Sequence, residues 1–325
     1  MTDITAIKKR IEDDNINREK EKQIIFNIEK STPFLEIEGM KLKGIKHGFS
    51  SRLGGVSSGI YESMNLGLRL DDERDKVIEN YRRLSDAIGI DYREISCPDQ
   101  QHHANVLEVT EKDAGNGIIT ELTHFDADAQ ITDKKGVALV VYSADCVPIL
   151  FADPVKKVIA SAHAGWRGTV AGIAAKTVEK MQERYGSDPA DIRVCIGPSI
   201  GPSNYEVDDK VIKALEECRY IDMSNENISK TAIEDTANDD FVMTVNGRGD
   251  SSEKDLYRLY YTVKAKNRYM LDLWSINELI LYNAGVSREH IYNTRLCTMD
   301  NHDIFFSHRY TGGKRGLNAG IIALA

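Results

Sequence analysis

The sequence predicts an α/β fold of the mixed, α+β kind, and three observations carry that prediction. Short apolar runs of strand length, residues 137–142 (VALVVY), 148–152 (PILFA) and 158–162 (VIASA), succeed one another between turn residues. Segments with apolar residues at helical spacing flank them, as in Val77, Tyr81, Leu84 and Ile88. Strands and helices nonetheless lack the strict alternation of a nucleotide-binding sheet. Neither a GxGxxG turn after a strand nor a GxxxxGKS/T loop occurs.

Taken in order, residues 1–30 form a mixed-charge helical pattern with Ile4, Ile7 and Ile11 on one face. They read as an N-terminal extension, residues 1–32, serving as a surface helix or as a docking element for self-association or a protein contact. The main domain is expected over 33–325. Residues 34–49 turn strand-like and end in HGFSSRLGGVSSG, and 73–88 read as a helix. Asp153-Pro154 marks the turn between the second and third apolar runs. A helix is expected over 169–185, with Val170, Ile173, Ala174, Val178 and Met181 inward, then a strand over 192–196 and a tight GPSIGP loop. Residues 207–218 read as helical. The stretch 224–253, rich in Asn, Asp and Ser, reads as a polar insertion or mobile loop. A long helix is expected over 256–282, and the last strands over 304–306 and 320–324.

The chain has 325 residues, 42 Lys and Arg against 51 Asp and Glu, and a net charge of −9. That balance argues against a nucleic-acid partner, whose affinity comes largely from cationic contacts to phosphate. The five cysteines, Cys97, Cys146, Cys195, Cys218 and Cys297, form no CxxC pair and no even framework, which points to a reducing compartment. The N-terminus lacks the apolar core of a signal peptide, and no apolar run nears the roughly 20 residues of a membrane span. A soluble, cytoplasmic protein with no membrane partner is expected.

The chemistry concentrates in SADCVPILFADPVKKVIASAHAGWRG, residues 143–168. Cys146 opens one apolar run and His163 closes another, so the two could meet at one end of a sheet. A thiol and an imidazole offer either a metal site or a nucleophile with its base. His102, in CPDQQHHANV, is a third candidate; His, Cys and His leave zinc the open fourth position that catalytic zinc requires. His103 competes with it, because one residue along a strand reverses the side chain's face. Arg52 in SRLGGVSSG and Arg167 in GWRG pair arginine's fork of donors with glycines that admit a ligand close to the backbone. Arg309 and Arg315 repeat the theme in FFSHRYTGGKRG, and Asn65 in MNLGL could read a base or sugar. His47, His124, His290 and His302 carry no special role.

The segments RLGGVS, NLG, DQQHHANV, ADCVPIL, HAGWRG, GPSIGPSNYEV, LDLWSIN and FFSHR resemble the YfiH family, also called laccase-domain or polyphenol-oxidase-like proteins. The resemblance extends from about His47 to the C-terminus. It implies a layered α/β/β/α sandwich, cytotoxic-deamidase-like, in a single main domain. It also implies one zinc held by His102, Cys146 and His163. The implied activity is phosphorolysis of purine nucleosides (adenosine, inosine and S-methyl-5′-thioadenosine), with adenosine deamination, and bacterial members are linked to peptidoglycan precursor editing. In that frame Cys146, His163, Arg52 and Arg167 are the catalytic candidates, and Asn65, Arg309 and Arg315 the substrate-binding ones. The chain departs from the family where Gln101 stands for the usual valine before His102, where Ser203-Asn204 replace cysteines, and where His308 replaces a tyrosine.

Two other chemistries compete. Cys146 and His163 could form the nucleophile and base of a cysteine hydrolase or deamidase. Copper oxidation of phenols is the third; multicopper sites rely on His-x-His pairs, and the eight histidines include none.

Overall fold

The structure is a computed structural model that describes residues 3–28, 32–221, 229–234, 241–246 and 261–325. Two six-stranded sheets stack face to face. The first runs β1 (Ile24–Asn27), β2 (Phe34–Ile37), β3 (Ile45–Ser50), β17 (Asn318–Leu324), β7 (Ala138–Ser143) and β4 (Ile95–Ser96). The second runs β16 (Ile291–Asn293), β10 (Arg193–Ile196), β8 (Val147–Asp153), β9 (Val158–Ala164), β6 (Ala129–Thr132) and β5 (Val106–Glu108). Most neighbours are antiparallel; β4 with β7, β5 with β6 and β10 with β16 are parallel.

Alternation along the strands divides the core into three layers. Leu139 and Val141 of β7, Leu150 and Ala152 of β8, and Ile159 of β9 meet between the sheets. Ala138 and Val140 point the other way, against helix α2 (Arg74–Ile88). Val147, Ile149, Phe151, Ala160 and Ala162 pack beneath α4 (Ile173–Tyr185) and α6 (Leu273–Asn283). The result is the expected α/β/β/α sandwich.

A third, five-stranded antiparallel sheet runs β11 (Glu206–Val207), β15 (Arg268–Leu271), β14 (Tyr261–Ala265), β13 (Phe241–Asn246) and β12 (Ser229–Glu234). Two of these strands fall within the polar stretch 224–253; the rest of that stretch lies outside the described residues. The N-terminal helix α1 (Ile4–Asp14) is short, and its Ile7 and Ile11 are buried in the layer between the sheets. The strand β1 after it extends the first sheet.

Three expectations need correction. The helix expected over 256–282 starts only at Leu273, behind an Asp272 cap that accepts from the Ser275 amide at 3.1 Å. Before it lies the β14–β15 hairpin, turned at Asn267 with φ 60°, a conformation asparagine tolerates; residues 256–260 lie outside the described residues. The helix expected over 169–185 is two, α3 (Trp166–Val170) and α4, because Gly172 takes φ 75° between them. Residues 304–306 form a buried turn, not a strand.

Candidate metal centre

Three separate segments deliver the candidate ligands to one edge of the sandwich. His102 lies where the chain leaves β4 for β5, and Cys146 where it leaves β7 for β8; both links pass from the first sheet to the second. His163 sits on β9, within the second sheet. Their donor atoms all lie within 4.8 Å of one another. The Cys146 sulfur is 4.0 Å from His102 Nε2, and the two imidazoles meet edge to face with centroids 4.7 Å apart.

Local backbone geometry sets each side chain. His102 takes φ 63° and Asp145, just before Cys146, takes φ 88°. Asp145 is pinned there: its carboxylate accepts from Thr298 Oγ1 (2.6 Å) and from the Arg309 amide (2.6 Å), and its carbonyl from the Ile200 amide (2.9 Å). The left-handed bend at His102, rather than strand alternation, separates the histidine pair. His103 turns outward, its Nδ1 2.6 Å from Asp126 Oδ1, and is not part of the cluster.

Asp128 was not singled out from the sequence, yet it touches both histidines. The β6–β9 register pairs Ala129 with Ala162, which sets Asp128 opposite His163. Its Oδ1 accepts from His163 Nδ1 at 2.8 Å, and its carboxylate also accepts from the amides of Gln101, His102 and His103. With Nδ1 engaged, Nε2 of His163 is the nitrogen left for Cys146 or an ion. The alternating acidic residues of FDADAQ, just before β6, were the available signal.

Burial pushes the Cys146 thiol up, but the neighbouring charge of His163 and hydrogen bonds from His102 and His163 outweigh it and bring the pKa down to about 6. Burial lowers His163, and the Cys146 sulfur together with Asp128 overrides this and raises it to about 9. A thiolate is therefore available near neutral pH.

These residues fit a metal ion. One sulfur and two imidazole nitrogens form a mixed set; donors around a tetrahedral ion with bonds of about 2.0–2.3 Å stand roughly 3.5 Å apart, somewhat closer than the 4.0 Å between Cys146 Sγ and His102 Nε2. Gly165 keeps the space clear, since a β-carbon there would stand 3.0 Å from Cys146 Sγ and 3.2 Å from His102 Cδ2.

The trio opens into a cavity of about 770 Å³, within the usual range of small-molecule sites. Its wall includes Gln100, whose amide closes both bonds with the Tyr142 backbone (3.0 and 2.7 Å), and the ion pair of Arg69 with Asp99. Leu68, Leu70, Ile119 and Leu122 supply apolar surface.

Of the expected anion and substrate residues, Arg315 lines this cavity and the others do not. Its Nε is buried without a partner among the described residues, and Nη2 lies 3.4 Å from His308 Nδ1. Arg52 is spent on structure: it donates to the carbonyls of Glu62 (2.6 and 3.0 Å) and His302 (3.0 Å) and lies over Phe306. Asn65 is buried, bonded to Asp72 and to the amides of Gly67 and Leu317, so it props the cavity wall from behind. Arg309 reaches the carbonyls of Asn204 and Glu206, and exposed Arg167 lies over Trp166.

Comparison with known proteins agrees with this architecture. The chain matches the family model described as multi-copper polyphenol oxidoreductase laccase over residues 46–246 and 237–325. It is 35% identical over 275 residues to the purine nucleoside phosphorylase YlmD of Bacillus subtilis, covering 84% of this chain and 86% of that one. Its structure is similar to that of YlmD from Geobacillus stearothermophilus, with a TM-score of 0.75, 33% identity and coverage of 93% of this chain and 99% of that one. A hypothetical protein YfiH from Bacillus licheniformis is similar with a TM-score of 0.76 at 31% identity, over 92% and 99% of the two chains. No helix among the described residues is long and apolar enough to cross a membrane.

Proposed function

This chain belongs to the laccase-domain family, and from that premise we propose that it is a zinc-dependent purine nucleoside phosphorylase that also deaminates adenosine. Adenosine, inosine and S-methyl-5′-thioadenosine are its proposed nucleosides, with phosphate as co-substrate and the cytoplasm as its location. The observation that carries the reading is the meeting of the His102–Cys146–His163 cluster and Arg315 in one cavity.

Zinc at the cluster would supply Lewis acidity and a water of lowered pKa. The remaining chemistry falls to the chain. Phosphorolysis needs an anion held beside the ribose C1′ and help for the departing base. Arg315, on the cavity wall, is the residue assigned to hold that anion; a guanidinium grips phosphate through two parallel bonds. The apolar wall of Leu68, Leu70, Ile119 and Leu122 suits the flat face of a purine. His163 is held by Asp128 and Cys146 follows the anchored Asp145 turn, which presets the cluster's geometry for the reaction. Asp145 has both carboxylate oxygens engaged, which suits an anchoring task more than proton transfer.

The test is incubation of zinc-loaded protein with adenosine, with and without phosphate, following adenine, inosine and ribose-1-phosphate, alongside Cys146→Ala. Phosphate-dependent adenine release that disappears in the variant is expected. Equal turnover by the variant would remove the cluster from the reaction.

A second reading has its own observation: Cys146, His163 and Asp128 line up as a lowered thiol, a raised imidazole and an orienting carboxylate. A cysteine hydrolase or deamidase, acting for instance on peptidoglycan precursors, would use that row without metal. Chelation separates the two, because a metal-bound thiolate is not free to attack. The copper-oxidase reading finds a single three-residue cluster among the described residues and no His-x-His pair in the sequence.

A further inference from the structure

We infer that Asp128 is a positioning residue that presets both histidines of the metal centre with one carboxylate. The inference rests on the reading of His102, Cys146 and His163 as metal ligands. Its starting point is the number of donors on the Asp128 side chain, which is wholly shielded from solvent (0% exposed). Oδ1 accepts from His163 Nδ1 (2.8 Å) and from the His102 amide (3.0 Å). Oδ2 accepts from the amides of Gln101 (3.1 Å) and His103 (2.8 Å). A buried carboxylate is costly unless its lone pairs are met, and here four donors meet them.

The geometry of those donors does more than satisfy the charge. Three consecutive amides, residues 101–103, converge on one carboxylate only if the chain curls around it. That curl coincides with the left-handed φ of 63° at His102, which brings the His102 ring toward Cys146 and sends His103 out to Asp126. Facing β9, the same carboxylate accepts a hydrogen bond from Nδ1–H of His163 and so favours the tautomer whose Nε2 lone pair is free to ligate. The Asp128 carbonyl adds a bond from the His163 amide at 2.7 Å, fixing the strand that carries the ring. One side chain therefore couples a loop ligand from the crossover between sheets to a strand ligand within the second sheet.

The test uses cobalt(II) as the probe ion in the full-length protein and in Asp128→Asn. Cobalt's charge-transfer band reports the Cys146 thiolate, and its d–d bands report the nitrogen ligands and geometry. The amide keeps the shape but turns one acceptor oxygen into a donor aimed at other donors. Cobalt affinity is expected to fall roughly 10–100-fold, the usual effect of losing a carboxylate behind a ligating histidine. The sulfur band should persist and the d–d bands should change. Parent-like affinity with parent-like d–d bands in the variant would overturn the inference and leave the metal reading standing. No cobalt uptake by the parent would overturn the metal reading, and this inference with it. Should the variant fail to fold, nitrogen-15 NMR of the zinc-loaded parent decides. A protonated Nδ1 on His163 supports the inference, and an unprotonated Nδ1 overturns it.

Discussion

A β-carbon on Gly165 would stand 3.0 Å from the sulfur of Cys146. The glycine's backbone, φ −64° and ψ 170°, is open to any residue, so the requirement is for room at the cluster and not for conformational freedom. Gly165→Ala is expected to weaken metal binding by about tenfold or more, while the metal-free fold loses about 1–3 kcal/mol at most from overpacking. Chelator competition for the metal and urea unfolding of the metal-free protein read the two effects separately.

In metal-free protein the thiolate–imidazolium pair of Cys146 and His163 should be populated between about pH 6 and about 9. The sign follows from each group. The thiol lies below its ordinary value, so its contribution to stability is present at high pH and is lost as pH falls through about 6. The imidazole lies above its ordinary value, so its contribution is present at low pH and is lost as pH rises through about 9. The thiolate's ultraviolet absorbance, read against Cys146→Ala, should titrate near the lower limit, and iodoacetamide labelling should follow it. A thiol that titrates in the ordinary range would refute the pair.

Arg315 and Arg52 should separate as a binding arginine and a structural one. Arg315→Ala is expected to raise the KM for phosphate by about 10–100-fold, matching the roughly 1.5–3 kcal/mol of a hydrogen bond to a charged group. Its metal content should stay at the parent level. Arg52→Ala leaves the carbonyls of Glu62 and His302 without their donor and should cost about 1–3 kcal/mol in stability, with KM unchanged. Initial rates with phosphate varied, together with denaturant melts, check both.

The N-terminal helix should behave as part of the core. Ile11, 1% exposed, packs between the sheets, and Ile11→Ala is expected to destabilise by about 2–5 kcal/mol. Equilibrium unfolding measures it, and a change within error would return the helix to the status of a detachable extension.

The sandwich was legible because its central strands are buried on both faces and so read as unbroken apolar runs, as in 137–142 and 158–162. The helix over 256–282 was misread because the apolar residues of TVKAKNRYML suit a hairpin as well as a helix; Asn267 was the only local sign of the turn. At the site, Cys146 and His163 declared themselves by their turn-flanked positions. Asp128 did not, since its meaning depends on a strand register fixed by residues some 35 positions away. The arginines were indistinguishable for a similar reason. Glycine-rich surroundings suit an anion site, but they also expose backbone carbonyls, and only the folded arrangement reveals that Arg52 is taken up by them.

His102 and Cys146 sit on the two spans by which the chain steps from one sheet to the other, and His163 belongs to the far sheet. An ion gripped by all three would work as a rivet through the seam of the sandwich. Sliding the layers past each other at that margin would then mean breaking a coordinate bond, so the reaction centre and the mechanical clasp of the protein would be one and the same.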